Sequence, residues 1–150
     1  MQTVKAIIDS KPKAHNLIDP DTLVIHALTQ LNTVNLSYLI VMKGDHYKGV
    51  FCERDYSRNV ILKGRSSNTT TVKEVMTTDL PVVDVDDTVE YCMNLMNTMK
   101  TRYLLAYDGE KFQGVITIHD LLRQVIANKE KVFDHLAERL IDQDEGERIF

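Results

Sequence analysis

Gly114-Val115-Ile116-Thr117-Ile118-His119-Asp120 has a near-copy 65 residues earlier, Gly49-Val50-Phe51-Cys52-Glu53-Arg54-Asp55. Sliding the chain against itself at that offset, without a gap, lays residues 17–61 on residues 82–126. The identities fall on turns, polar positions and strand ends, among them Asp19/Asp84, Asn32/Asn97, Tyr38/Tyr103, Gly44/Gly109, Gly49/Gly114, Asp55/Asp120 and Arg58/Arg123. An ungapped match of that length means two copies of one structural unit.

Working outward from the two signatures, each copy reads in the same order. In the first, Asn16-Leu17-Ile18 is a short strand, and Asp19-Pro20-Asp21-Thr22 supplies the turn before a helix with Val24, Ala27, Leu28 and Leu31 on one face. Tyr38-Leu39-Ile40-Val41-Met42 is an unbroken apolar run, the pattern of a strand buried on both faces, and Lys43-Gly44-Asp45-His46 turns it into a returning strand. A helix over residues 54–62 closes the unit before Gly64. The second copy predicts a strand at Val82-Val83, a helix over 88–99 begun by a capping box of Asp87 and Glu90, strands over 103–107 and 113–117, and a helix over 118–127. Each copy has an apolar lead-in, Val4 to Ile8 and Val72 to Met76, and the polar stretch 65–71 reads as the linker. The domain reading is one module: repeat 1 over residues 3–64, repeat 2 over 72–128, and a C-terminal helix and tail over 129–150. Val132, Phe133, Leu136, Ala137, Leu140 and Ile141 form an apolar stripe at helical spacing with no counterpart in the first copy.

Composition narrows the class. Two units of about 45 residues bury too little surface to stand alone, so they should share a core. Apolar content of 43% and charge of 27% describe a globular chain. No apolar run approaches the ~18 residues of a membrane span and the N-terminus lacks a signal-peptide core, so a membrane partner is not expected and the default location is cytoplasmic. Eighteen basic against 22 acidic residues, with no basic block, argue against nucleic acid as a partner. Cys52 and Cys92 occupy unrelated positions in the two copies, which fits reduced thiols rather than a disulfide or a metal knuckle.

Strand, helix, strand, strand, helix, repeated across a polar linker, resembles the cystathionine-β-synthase-type (CBS) domain pair, or Bateman module. The resemblance rests on the G-h-x-T-x-x-D signature at Gly114 to Asp120, its C-E-R-D-Y-S-R variant at Cys52 to Arg58, and K-E-V-M-T at Lys73 to Thr77. It covers residues 3–128 and implies an α/β (α+β) fold of two βαββα repeats related by a pseudo-twofold axis.

The resemblance further implies an adenosyl ligand in the cleft between the repeats, with the Thr117 hydroxyl on phosphate and Asp120 on the ribose. The chemistry is consistent: Thr117 stands where a strand enters a helix, whose N–H groups favour phosphate, and Asp120 offers an anionic acceptor to two hydroxyls. Asp55 repeats the carboxylate. Cys52 replaces the hydroxyl there, so phosphate in the first copy would lean on Arg54 and Arg58. Arg102 is a further phosphate candidate, and adenine is expected beside Val83, Val115 and Ile116 with backbone contacts near Thr78. On these residues the second cleft should bind more tightly than the first.

Other constellations fail. The Gly44/Gly49 and Gly109/Gly114 spacings mimic a phosphate loop but lack the Lys-Ser/Thr that follows one. Asp84-Val85-Asp86-Asp87 lacks the glycine and glutamate of a calcium loop, and His15, His26, His46, His119 and His135 show no metal-ligand spacing. No nucleophile and base pair can be placed, so neither a metal nor enzymatic turnover is expected. The leading expectation is a regulatory, homodimeric module that binds AMP, with ADP, ATP or NADH as alternatives, and acts through a protein partner. A ligand-free dimeric docking module and an NADH-binding redox sensor are the competing readings.

Overall fold

The structure, a computed structural model, describes residues 2–12, 16–34 and 36–147, with backbone alone at 131, 132 and 141–147. Copy one contains β1 (Leu17–Ile18), α2 (Val24–Val34), β2 (Tyr38–Lys43), β3 (His46–Cys52) and α3 (Glu53–Tyr56), which runs on into a π-helical turn, Ser57–Ile61. Copy two contains β4 (Val82–Asp84), α5 (Val89–Met99), β5 (Tyr103–Asp108), β6 (Lys111–Thr117) and α6 (Ile118–Glu147). The lead-ins form α1 (Val4–Ser10) and α4 (Val72–Val75). Each sheet has three strands, β1-β2-β3 and β4-β5-β6, with the first pair parallel and the hairpin antiparallel. The registers are copies of one another: Ile40 faces Val50 as Leu105 faces Val115, and the ladder slips at Val41/Met42 as at Ala106/Tyr107. Both hairpins turn on two residues, led by Gly44 and Gly109 at φ +59° and +60°, where a side chain would be strained.

The two sheets meet through Tyr38, Ile40, Val50, Leu105 and Val115. Equivalent residues touch each other across this layer. The Tyr38 and Tyr103 rings lie 5.3 Å apart, and Tyr47 stacks on its counterpart Phe112 at 4.8 Å. Self-equivalent contacts of this kind place a pseudo-twofold axis through the layer.

The lead-in helices cross over. Val4 and Ile7 of α1 are buried in the core of copy two with Val83, Cys92, Leu104 and Ile116. Val72 and Val75 of α4 are buried in the core of copy one with Val24, Leu39, Phe51 and Val60. The same backbone bonds dock both: Val4 N–H donates to Asp87 O at 2.9 Å and Lys5 N–H to Val85 O at 2.8 Å, while Val72 N–H donates to Thr22 O at 2.8 Å and Lys73 N–H to Pro20 O at 2.9 Å. Each core is therefore completed by a segment that the sequence attaches to the other copy.

Three further local expectations are revised. The cap of α5 is Thr88, which accepts from Tyr91 N–H at 3.1 Å, whereas Asp87 accepts from Asp84 N–H at 2.8 Å and stabilises the preceding turn. The helix expected over 54–62 departs from α geometry at its end, where Leu62 N–H bonds Ser57 O at 3.1 Å, five residues back. The helix expected to stop at 127 runs on through the C-terminal stripe as one 30-residue α6, since no proline or glycine interrupts residues 118–145. Of the stripe, Phe133, Leu136 and Leu140 are exposed; the side chains of Val132 and Ile141 lie outside the described residues, as does His15. Among the described residues no helix is long and apolar enough to cross a membrane.

Candidate functional site

The pseudo-twofold generates two clefts, one beside Asp55 and one beside Asp120. In the first, β3 ends at Cys52 and the chain turns into α3, so the Asp55 carboxylate folds back on the strand end. One oxygen accepts from Cys52 N–H at 2.9 Å and from the Cys52 thiol at 3.3 Å, and the other accepts from the Thr77 hydroxyl at 2.7 Å. Burial, reinforced by the Asp55 charge, raises the Cys52 thiol above its ordinary pKa, so it stays protonated and donates. Thr77 is held in place by a reciprocal backbone pair with Val50, at 3.0 and 2.9 Å.

These residues line a cavity of about 320 Å³. One wall carries Cys52, Arg54, Asp55 and Arg58; another carries Thr77, Asp79 and Pro81; the third carries Lys100, Arg102 and Tyr103. Lys100 turns α5 into the third wall through a left-handed backbone, φ 52°. Among the described residues, none of the cationic groups of Arg54, Arg58, Lys100 and Arg102 lies within 4.0 Å of a carboxylate oxygen or donates a hydrogen bond. Four unpaired cations thus converge on a cleft that contains two carboxylates, Asp55 and Asp79, which favours an anion. Arg54 and Arg102 also border an adjoining groove of about 240 Å³ with Ser37, Thr117 and His119, so they stand between the two clefts.

The second cleft repeats the carboxylate and little else. Thr117 caps α6 through a reciprocal pair in which its N–H donates to Asp120 at 2.8 Å and its hydroxyl accepts from Asp120 N–H at 3.2 Å. The same Asp120 oxygen meets Lys11 Nζ at 2.8 Å, and the other meets Arg123 at 3.2 Å. Lys11 Nζ also donates to Val115 O at 2.9 Å and to the Tyr38 hydroxyl at 3.4 Å. Where the first cleft has Arg54 and Arg102, the second has His119 and Ser37.

The site residues predicted from the sequence fall into three groups. Asp55, Arg54, Arg58 and Arg102 come together at the first cleft, and Thr117 and Asp120 at the second. Thr78 is exposed beside the first cavity, whose wall is formed by its neighbours Thr77 and Asp79. Val83 and Ile116 are buried in the core with residues of α1, α5 and α6. Val115 lies between the sheets and offers its carbonyl to Lys11. Sequence reading missed Thr77, Lys100 and Lys11. Thr77 ends the quoted K-E-V-M-T stretch and could have been chosen, whereas Lys11 reads only as the residue that stops α1 ahead of Pro12.

Against solved structures, the chain superposes on a Burkholderia ambifaria protein described as a signal-transduction protein with CBS domains. The TM-score is 0.76 and the identity 35%, over 84% of this chain and 95% of that one. The chain belongs to the CBS-domain family. The family model for the CBS domain matches residues 72–127, which is the second copy, and the 65-residue repeat extends the assignment to the first. Among curated proteins, the CBS domain-containing protein CBSX3, mitochondrial, of Arabidopsis thaliana is 28% identical over 133 residues, 83% of this chain and 65% of that protein. Arabinose 5-phosphate isomerase KdsD of Yersinia pestis is 28% identical over 107 residues, 71% of this chain and 32% of that enzyme. The chain thus spans about two thirds of the first and a third of the second. These likenesses place it among CBS-domain regulatory or signal-transduction proteins.

Proposed function

We propose that this CBS pair binds an adenine nucleotide, AMP foremost and ADP, ATP or NADH as alternatives, and passes the bound state to a protein partner without turning the ligand over. The observation that carries the reading is the first cleft. Its cavity of about 320 Å³ falls at the small end of ligand pockets, roughly 300–1,000 Å³. It combines a buried carboxylate, Asp55, with four cations that have no anionic partner among the described residues. A ribose suits the first feature, since its hydroxyls donate to a carboxylate, and a phosphate suits the second.

On this reading the first cleft, rather than the second, is the principal site, which reverses the ranking that Thr117 alone suggests. The hydroxyl of Thr117 accepts from Asp120 N–H in the cap of α6 and keeps its own O–H, but both oxygens of Asp120 are paired with cations of the chain. Asp55, by contrast, is held by neutral donors, which ribose hydroxyls can supplement. The test is calorimetric titration of the parent with AMP, ADP, ATP and NADH. A binding event with AMP that Asp55→Ala weakens about ten- to a hundredfold supports the reading. No heat and no thermal shift with any of the four removes it and leaves the ligand-free docking module.

A further inference from the structure

The two clefts differ in the chain that leads into them. The lead-in helices are equivalent at an offset of 68 (Val4 to Val72), whereas the strands after them are equivalent at 65 (Leu17 to Val82). The difference of three lies in the helices, seven residues in α1 against four in α4, since the connectors that follow them, 11–16 and 76–81, are six residues each. In the first cleft the connector that follows the short helix α4 passes Asp55 with Thr77, whose hydroxyl reaches the carboxylate at 2.7 Å. In the second, the connector that follows the longer helix α1 begins with Lys11, whose ammonium reaches Asp120 at 2.8 Å.

We propose that Lys11 is a built-in occupant of the second cleft and sets the stoichiometry of the module at one nucleotide per chain. The inference rests on the nucleotide reading above. An ammonium has three donors, and here all are used: on the Asp120 carboxylate, on Val115 O at 2.9 Å and on the Tyr38 hydroxyl at 3.4 Å. The Asp120 side chain is 4% exposed and that of Lys11 26%, so the pair is shielded from the water that weakens surface ion pairs. A ribose that approaches Asp120 must remove a full positive charge from a buried carboxylate and replace it with neutral hydroxyls. It must also leave Val115 O without its donor. No such exchange is demanded at Asp55. Lys11 thus discriminates between two sites that the repeat made equivalent.

The experiment titrates AMP into the full chain by calorimetry, comparing the parent with Lys11→Met, Asp55→Ala and Lys11→Met/Asp120→Asn. Met preserves the length of the side chain, and Arg123 remains to pair Asp120. The parent should show one binding event, which Asp55→Ala weakens about ten- to a hundredfold. Lys11→Met should add a second event, at least tenfold stronger than any residual second event in the parent, and Asp120→Asn should remove it. A parent that already binds two AMP per chain, or a Lys11→Met chain that still binds one, overturns the proposal. If no variant binds AMP, the nucleotide reading fails, and the occupancy of the cleft is decided separately by lysine acylation read by mass spectrometry. Lys11 should react at least tenfold more slowly than the exposed Lys48 and Lys63, and Asp120→Asn should restore its rate. Equal rates in the parent show that Lys11 does not occupy the cleft; this measurement also serves if Lys11→Met does not fold.

Discussion

Asp55 and Asp120 are the same residue of the repeated unit, yet their surroundings predict different behaviour. Asp55 accepts three neutral donors in a cleft ringed by cations, and a hydrogen bond to a charged group contributes about 1.5–3 kcal/mol. Asp55→Ala should therefore weaken AMP about ten- to a hundredfold, measured by titration, while Asp120→Ala should leave that event within about threefold. The carboxylates themselves were legible in the sequence, because a recurrent Gly-to-Asp spacing survives in any alignment of the chain with itself. What each carboxylate touches was not legible, because Thr77 and Lys11 reach them from connectors placed by lead-in helices of unequal length, which no periodicity reports. Gly49 shows the same limit. A Cβ there would lie 2.8 Å from both Met76 Sδ and Thr77 O, so the residue permits the close pass of the segment that holds Asp55. Gly49→Ala should cost about 1–3 kcal/mol in chemical denaturation and weaken AMP as Thr77 shifts. Cys92 supplies a pH test. Burial, with a smaller push from Asp87, raises its thiol from 9.0 to about 11. Between those values the unfolded chain releases a proton that the folded chain retains. Its share of stability is whole below pH 9 and declines from there to pH 11. The melting temperature of the parent should fall over that window more steeply than that of Cys92→Ala.

At the scale of elements, the strands and their turns followed from pattern alone. Unbroken apolar runs gave β2 and β5, and Gly44 and Gly109 gave two-residue turns, because these signals are local. The crossover of α1 and α4 was not legible, since an apolar face at helical spacing says that a helix is buried and not which core it enters. It has a direct consequence. A piece comprising residues 72–150 would lack Val4 and Ile7, 0% and 2% exposed in the core of copy two, and would expose Val72 and Val75, which are 0% and 2% exposed in the core of copy one. Such a piece should show no cooperative thermal transition as a monomer by circular dichroism and light scattering. In the full chain, Ile7→Ala should cost about 2–5 kcal/mol by the lost contacts and the cavity left behind. It should do so although residue 7 precedes the first strand of copy one and is remote in sequence from the core it fills.

For the whole molecule, the open question is what covers α6. Leu122, Ile126, Phe133, Leu136 and Leu140 are 44%, 55%, 72%, 52% and 64% exposed. With Lys129 included, they follow one another at intervals of four and three residues, the spacing of a coiled-coil seam. The stripe was visible in the sequence, but its continuity with the front of the helix was not, because residues 118–127 and the stripe read as separate helices. A seam of this kind is self-complementary when two copies of the chain lie side by side, and neither repeat uses it for its own core. The expected assembly is a homodimer closed through α6, and light scattering at micromolar concentration should report twice 17.2 kDa. Leu136→Glu puts a charge at an exposed position of the seam, so it should leave the melting temperature of the repeats nearly unchanged while returning the mass to 17.2 kDa. A parent that scatters as a single chain at that concentration rules the dimer out, and a Leu136→Glu chain that stays paired moves the interface away from α6.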